Sequence, residues 1–81
     1  MDFSDIVVKV HEELKRAEEK HPHFPVDIIH MVSIMNEESG EAVRAGLNYF
    51  YEQGDIEEVK NELIQTAAMC FRCLQNIEKL K

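Results

Sequence analysis

The stretch "IHMVSIMNEESGEAVRAG", Ile29 to Gly46, decides how this chain folds. It opens apolar apart from one His and one Ser, and then three carboxylates, Glu37, Glu38 and Glu41, follow closely. At about 100° per residue, with Met31 as origin, Ile28, Ile34, Met35, Ala42, Ala45 and Gly46 fall within roughly ±60° and form one apolar stripe. Glu38 falls at about −20°, inside that stripe. Glu41 sits at its edge near −80°, and Glu37 lies further out near −120°. The pattern is a helix that carries an acid on the face it is built to bury.

Working outward, "HPHFP" ends any preceding helix at Pro22 and Pro25. Asp27 then offers an N-cap for a helix running to about Glu52. Upstream, Ser4 is the expected N-cap of a first helix, on which Ile6, Val7, Val10, Leu14 and Ala17 recur at helical spacing. Downstream, Gly54 is a natural stop and Asp55 the next N-cap, with Glu57 and Glu58 in the first turn where the helix dipole favours acids. The third helix is expected to continue to the end of the chain, with Val59, Leu63, Thr66, Cys70, Leu74 and Ile77 on one stripe. No segment alternates with period two, so strands are not expected.

The expected architecture is a single all-α domain over residues 1–81, three helices of which the second and third are long and antiparallel. A chain of 81 residues buries too little surface to be robust alone. Two helices about 25 residues long with incomplete partners suggest a bundle completed by oligomerisation.

Charge narrows the function. The net charge is −7, with nine basic residues scattered among sixteen acids. That opposes nucleic acid as a partner, because duplex affinity comes largely from Lys and Arg on phosphates. No apolar run is long enough for a membrane span. The acidic N-terminal stretch lacks the basic region of a signal peptide, so a cytosolic location is expected. An acidic chain can still take a polyphosphate when a divalent cation lies between the two sets of negative charge.

On the third helix Glu62 lies about 60° to one side of Val59, beside Met69 and Cys73, with Glu58 and Gln65 on the same flank. Antiparallel packing brings Glu38 and Glu41 opposite Glu62. Acids converging on one place repel unless a cation is present, and hard oxygen ligands suit Mg²⁺ or Mn²⁺. The plainer alternative is solvated surface for Glu37 and Glu41, with Glu38 paired to Arg44 or Lys60. Cys70 and Cys73 have the CxxC spacing in mid-helix, where small apolar filling is the ordinary role. His21 and His23 are expected to be exposed in a turn. The pairs Glu18/His21 and Asp27/His30 have di-iron spacing, but the first abuts Pro22 and Asp27 serves as a cap.

Glu38-Ser-Gly-Glu41, then twenty residues, then Glu62-Leu-Ile-Gln65 resembles the ExxE…ExxD pattern of the MazG-like, all-α nucleoside triphosphate pyrophosphohydrolases. The likeness extends over about residues 10 to 75, including "AEEKHPHFP" and the helix–short loop–helix that follows. It implies Mg²⁺-dependent (or Mn²⁺-dependent) hydrolysis of ribo- or deoxyribonucleoside triphosphates to monophosphate and pyrophosphate, in homodimers or homotetramers. Position by position it implies Glu38, Glu41 and Glu62 as metal ligands, with Gln65 where the family has Asp. Glu38 would act in catalysis, and Glu37 as an outer ligand or the base that orients water. Gln65 removes one negative charge, which weakens metal binding. Lys15, Arg16, Lys20, Arg44 and Lys60 are candidates to hold pyrophosphate, and Phe24, His30, Met31 and Met35 to hold the base and sugar. Core packing is the ordinary role of the Met and aromatic residues. Two other readings stand beside the enzyme: a weakened relative that binds nucleotide or a protein partner, and a structural module whose acids are solvated.

Overall fold

The computed structural model describes residues 1–80, which form three α-helices and no strand. Helix α1 spans Phe3–Lys20, α2 Ile28–Glu52 and α3 Ile56–Ile77. The expected run of α3 to the chain end stops at Ile77, and Lys81 lies outside the described residues. Helices α1 and α2 both pack on α3, and no backbone contact joins α1 to α2. The result is a flat slab of 45 × 27 × 20 Å with α3 in the middle.

Local chemistry sets the boundaries. Asp27 accepts the Ile29 N–H at 2.8 Å and Asp55 accepts the Glu57 N–H at 2.9 Å, each satisfying a donor the helix leaves free. The first cap differs from expectation. Asp2, not Ser4, starts α1, because its carboxylate accepts the Asp5 N–H at 2.9 Å while Asp5 accepts the Asp2 N–H at 3.4 Å. At the other turn Gln53, not Gly54, takes the left-handed conformation, with φ 56°. Gly54 serves close approach instead: its N–H donates to Asn48 O at 2.9 Å, and an added Cβ would meet the Asn48 carbonyl carbon at 3.1 Å. Helix α2 runs unbroken through Gly40 and Gly46, and neither glycine has a neighbour in the chain that a Cβ would meet.

Burial is sparse. The core is Val10, Leu14, Ala17, Met31, Ala45 and Ala68, half of it alanine, with Met31 at 0% exposure. The α2 stripe reads as expected at Met31 and Ala45, with Ile34, Met35, Ala42 and Gly46 half-buried and Ile28 exposed. Helix α3 does not. It packs on α1 through Ile64, Ala67 and Ala68, while Leu63, Leu74 and Ile77 of the anticipated stripe are exposed.

One charge is buried. Arg72, 4% exposed, donates to Ala17 O at 3.3 Å and to His21 O, and its guanidinium lies 4.7 Å from the Phe24 ring centroid. It satisfies carbonyls at the C-terminal end of α1, where the helix dipole is negative, and adds a cation–π contact. Arg72→Met should therefore lose about 2–4 kcal/mol in denaturant unfolding, since the His21 carbonyl would lose its guanidinium donor and Ala17 O, which already accepts the His21 N–H at 2.8 Å, would lose its second. Gln53→Gly should gain about 1 kcal/mol by relieving the left-handed residue. Gly54→Ala should lose stability in the same assay.

Candidate metal centre

Antiparallel α2 and α3 place Glu38, Glu41 and Glu62 together: one carboxylate oxygen from each lies within 4.8 Å of the other two. The pairing follows from register. Cys73 Sγ contacts Met31 O at 3.4 Å near one end of the hairpin, and Glu41, Ala45 and Asn48 share a groove with Glu58, Asn61 and Glu62 nearer the loop. Glu38 and Glu62 are half-buried and Glu41 is exposed.

The site is electrostatically strained. Glu38 Oε2 and Glu62 Oε2 are both shielded from solvent and lack a hydrogen-bond partner. Burial pushes the Glu38 carboxyl above its ordinary range, and the charges of Glu41, Glu13 and Glu37 push the same way, against a smaller opposing pull from Arg16. Burial also raises Glu62, helped by the charges of Glu41 and Glu38 and by a hydrogen bond to Glu41 open only to the protonated acid. Orphaned carboxylate oxygens facing one another are what a hard divalent cation would satisfy. Among the described residues neither Glu38 nor Glu62 has a lysine or arginine within ion-pair distance, so the pairing of Glu38 to Arg44 or Lys60 does not form.

Two spaces adjoin the acids. An open groove of about 470 Å³ is lined by Glu41, Arg44, Asn48, Asn61, Glu62 and Gln65. A narrower cavity of about 220 Å³ lies on the other side, between α1 and the site, lined by Arg16, Lys20, His21, Glu38, Gln65 and Met69 among others. Gln65 borders both.

The remaining sequence candidates sit elsewhere. Glu37 is exposed, lines an apolar groove with Ile29, Val32 and Met35, and reaches Glu38 only through its charge. Lys15 is exposed on α1, about 140° around the helix from Val10. His30 is exposed in the first turn of α2, its N–H directed at Asp27 Oδ1. Lys60 is exposed and paired with Glu57 at 3.2 Å. His21 and His23 are exposed, as expected. What the sequence did not reveal is Glu13, which lines the inner cavity, holds Arg16 at 2.5 Å and adds to the charge felt by Glu38. Its spacing from Arg16, three residues along one helix, was the available signal.

A pH dependence follows. The folded chain holds the protons of Glu38 and Glu62 more tightly than the unfolded chain does. Their contribution to stability is therefore fully present below the ordinary carboxylate range and is lost as pH rises through the raised values. Glu62→Gln, which cannot ionise, should raise the thermal midpoint of chelator-treated protein by a few degrees at pH 7. The difference from wild type should vanish in acid, below the ordinary carboxylate range. Equal midpoints at pH 7 would mean that the repulsion is not felt.

Compared with known proteins, the chain matches no family model, no curated protein and no solved structure.

Proposed function

We propose that this chain is a Mg²⁺-dependent nucleoside triphosphate pyrophosphohydrolase of the MazG-like kind, acting in the cytosol as an oligomer and clearing or adjusting nucleotides. The observation that carries the reading is the pair of buried, unpartnered oxygens, Glu38 Oε2 and Glu62 Oε2, beside Glu41. Three carboxylates on two packed helices, two of them with a shielded oxygen short of a partner, support a reading as a ligand set. The family resemblance of the same residues supports that assignment.

In this reading Glu38, Glu41 and Glu62 hold the cation, and the Gln65 amide oxygen completes the set without adding charge. Bound Mg²⁺ supplies neutralisation of the triphosphate and a lowered pKa for the attacking water. The reaction adds water at the α-phosphorus, breaks the α–β anhydride bond and releases pyrophosphate. Arg16 and Lys20 give the inner cavity cationic groups for phosphate oxygens beside an acidic site, and His21 lines it with them. Arg44 lines the outer groove and offers a second cationic contact. These side chains replace Lys15, His30 and Lys60 as the groups proposed to hold substrate, since only they border the acids. Glu13 keeps the Arg16 guanidinium oriented along α1. The neutral Gln65 favours a second reading, nucleotide binding with little turnover.

Pyrophosphate release from a panel of ribo- and deoxyribonucleoside triphosphates, with Mg²⁺ or Mn²⁺, tests the proposal. Wild type should turn over at least one substrate, and Glu38→Gln should lose roughly 100-fold or more while keeping its helical circular dichroism. Gln65→Asp should restore a charge and lower the Mg²⁺ concentration needed for half-maximal rate. Thermal stabilisation by Mg²⁺ and nucleotide without pyrophosphate would select the binding reading. Turnover unchanged in Glu38→Gln would remove Glu38 from the metal site.

A further inference from the structure

We infer that the cleft between the 22–26 turn and the last turns of α3 binds a small organic monocarboxylate, its head on the Arg72 guanidinium and its apolar body on the Phe24 side. The assignment does not depend on the chemistry proposed above. At ~1.5 Å per residue, Arg72 lies about 15 Å along α3 from Glu62. The cleft shares no lining residue with either space beside the acids.

The observation behind it is a buried cation without a counter-ion. Arg72 is 4% exposed, yet among the described residues no carboxylate lies within ion-pair distance of it, although the chain holds sixteen acids. Its partners are neutral: Ala17 O, His21 O and the Phe24 ring. The C-terminal end of α1 supplies roughly half an elementary negative charge. The rest of a permanent positive charge is unmatched. Buried charges are ordinarily paired, because leaving one alone is costly. A guanidinium has more N–H donors than the two that these carbonyls take. The other donors bond nothing among the described residues, and the side chain lines an open cleft. Holding α1 to α3 accounts for the two bonds made and leaves the rest of the group to a ligand.

The lining selects the class of ligand. The cleft encloses about 460 Å³, within the range of pockets that take small organic molecules. Arg72 and Lys79 line it against one acid, Glu18, a local excess of positive charge in a chain of net charge −7. Two cations against one acid match a single negative charge, which suits a carboxylate and disfavours a dianionic phosphate or a polyphosphate. The planar guanidinium fork also fits carboxylate oxygens. Pro22, Phe24 and Val26 supply an apolar wall for the carbon body of the ligand. Phe24 lines this cleft and neither space beside the acids, so its ring is placed for this ligand and not for a nucleoside on the metal.

Nitrogen–proton NMR of the chelator-treated chain, titrated with phenylacetate, hexanoate, phenylacetamide and inorganic phosphate, is the test. Phenylacetate or hexanoate should give saturable shifts of the Arg72 Nε–H signal and of the Phe24 and Gln75 backbone amides. Phenylacetamide has the body of phenylacetate without its charge and should leave Arg72 unmoved. Phosphate should shift the Arg72 signal less than either carboxylate does. Arg72 itself ties α1 to α3, so the variants are placed on exposed residues of the cleft. Lys79→Glu should weaken carboxylate binding roughly threefold or more, and Glu18→Gln should tighten it about twofold. Absence of saturable shifts from both carboxylates, an equal response to phenylacetamide or to phosphate, or a dissociation constant that neither variant moves would overturn the inference. Neither metal nor nucleotide enters this titration, so its failure leaves the proposed chemistry intact and an inactive chain leaves the cleft intact.

Discussion

The tie between Arg72 and the end of α1 sets the geometry of everything around the acids. Helices α1 and α2 do not touch through their backbones, so the packing of α1 on α3, this guanidinium included, sets its position. Val10 and Leu14 against Ala68 fix one part of the contact. Arg72 fixes the other by donating to the His21 carbonyl beyond the helix end and to Ala17 O, which also accepts the His21 N–H. A buried arginine costs desolvation, which is offset here by two carbonyls, the dipole of α1 and the Phe24 ring. Its position keeps Arg16, Lys20 and His21 beside Glu38 and Gln65, and so maintains the inner cavity.

Against that frame the carboxylates work in opposition to stability. Glu38 and Glu62 each lose hydration and gain a neighbouring negative charge, and neither finds a cationic partner. A chain selected for stability alone would place Gln, Met or Ala there. Unsatisfied buried polar atoms that persist in a small, marginal domain are the kind of local cost that functional sites impose. The arrangement is weakest in charge at Gln65, and strongest where Glu62 faces both acids of α2.

The slab divides its work between two sides. One side gathers the acids, Asn48, Asn61 and the basic end of α1. The other carries large apolar side chains and no charge along the hairpin. The internal core, half alanine, is too thin to account for the chain's stock of Leu, Ile, Val and Phe, most of which is exposed. Small residues inside and large ones outside reverse the usual order for a monomer. No described helix is long and apolar enough to cross a membrane, so that surface is not a span.

The three helices, the breaks between them, the starts of α2 and α3 and the α2 stripe were legible in the sequence because they depend on neighbours a few residues away. Pro22 and Pro25 forbid helix, Asp27 and Asp55 cap the next ones, and Met31 and Ala45 recur at helical spacing. The placing of Glu38 inside an apolar stripe was legible for the same reason. The N-cap at Asp2 was missed because two residues two positions apart, Asp2 and Ser4, offered competing side chains, and reciprocal bonding with Asp5 decided between them. The buried side of α3 was legible only in part: Glu62 and Cys73 meet α2 as expected and Val59, Thr66 and Cys70 are half-buried, but the face toward α1 was not read. Periodicity marks a row of apolar residues without saying what meets it, and Leu63, Leu74 and Ile77 looked like core until Ile64, Ala68 and Arg72 turned toward α1. Nor could the sequence choose Arg16 over Lys15, since both are basic and adjacent, and a rotation of 100° sends one to the cavity and the other to solvent. Local pattern determined the elements and their caps. Tertiary packing decided which residues of α1 join the acids that the α2 and α3 wheels already set opposite one another, because that depends on the direction of approach of helices far apart in the chain.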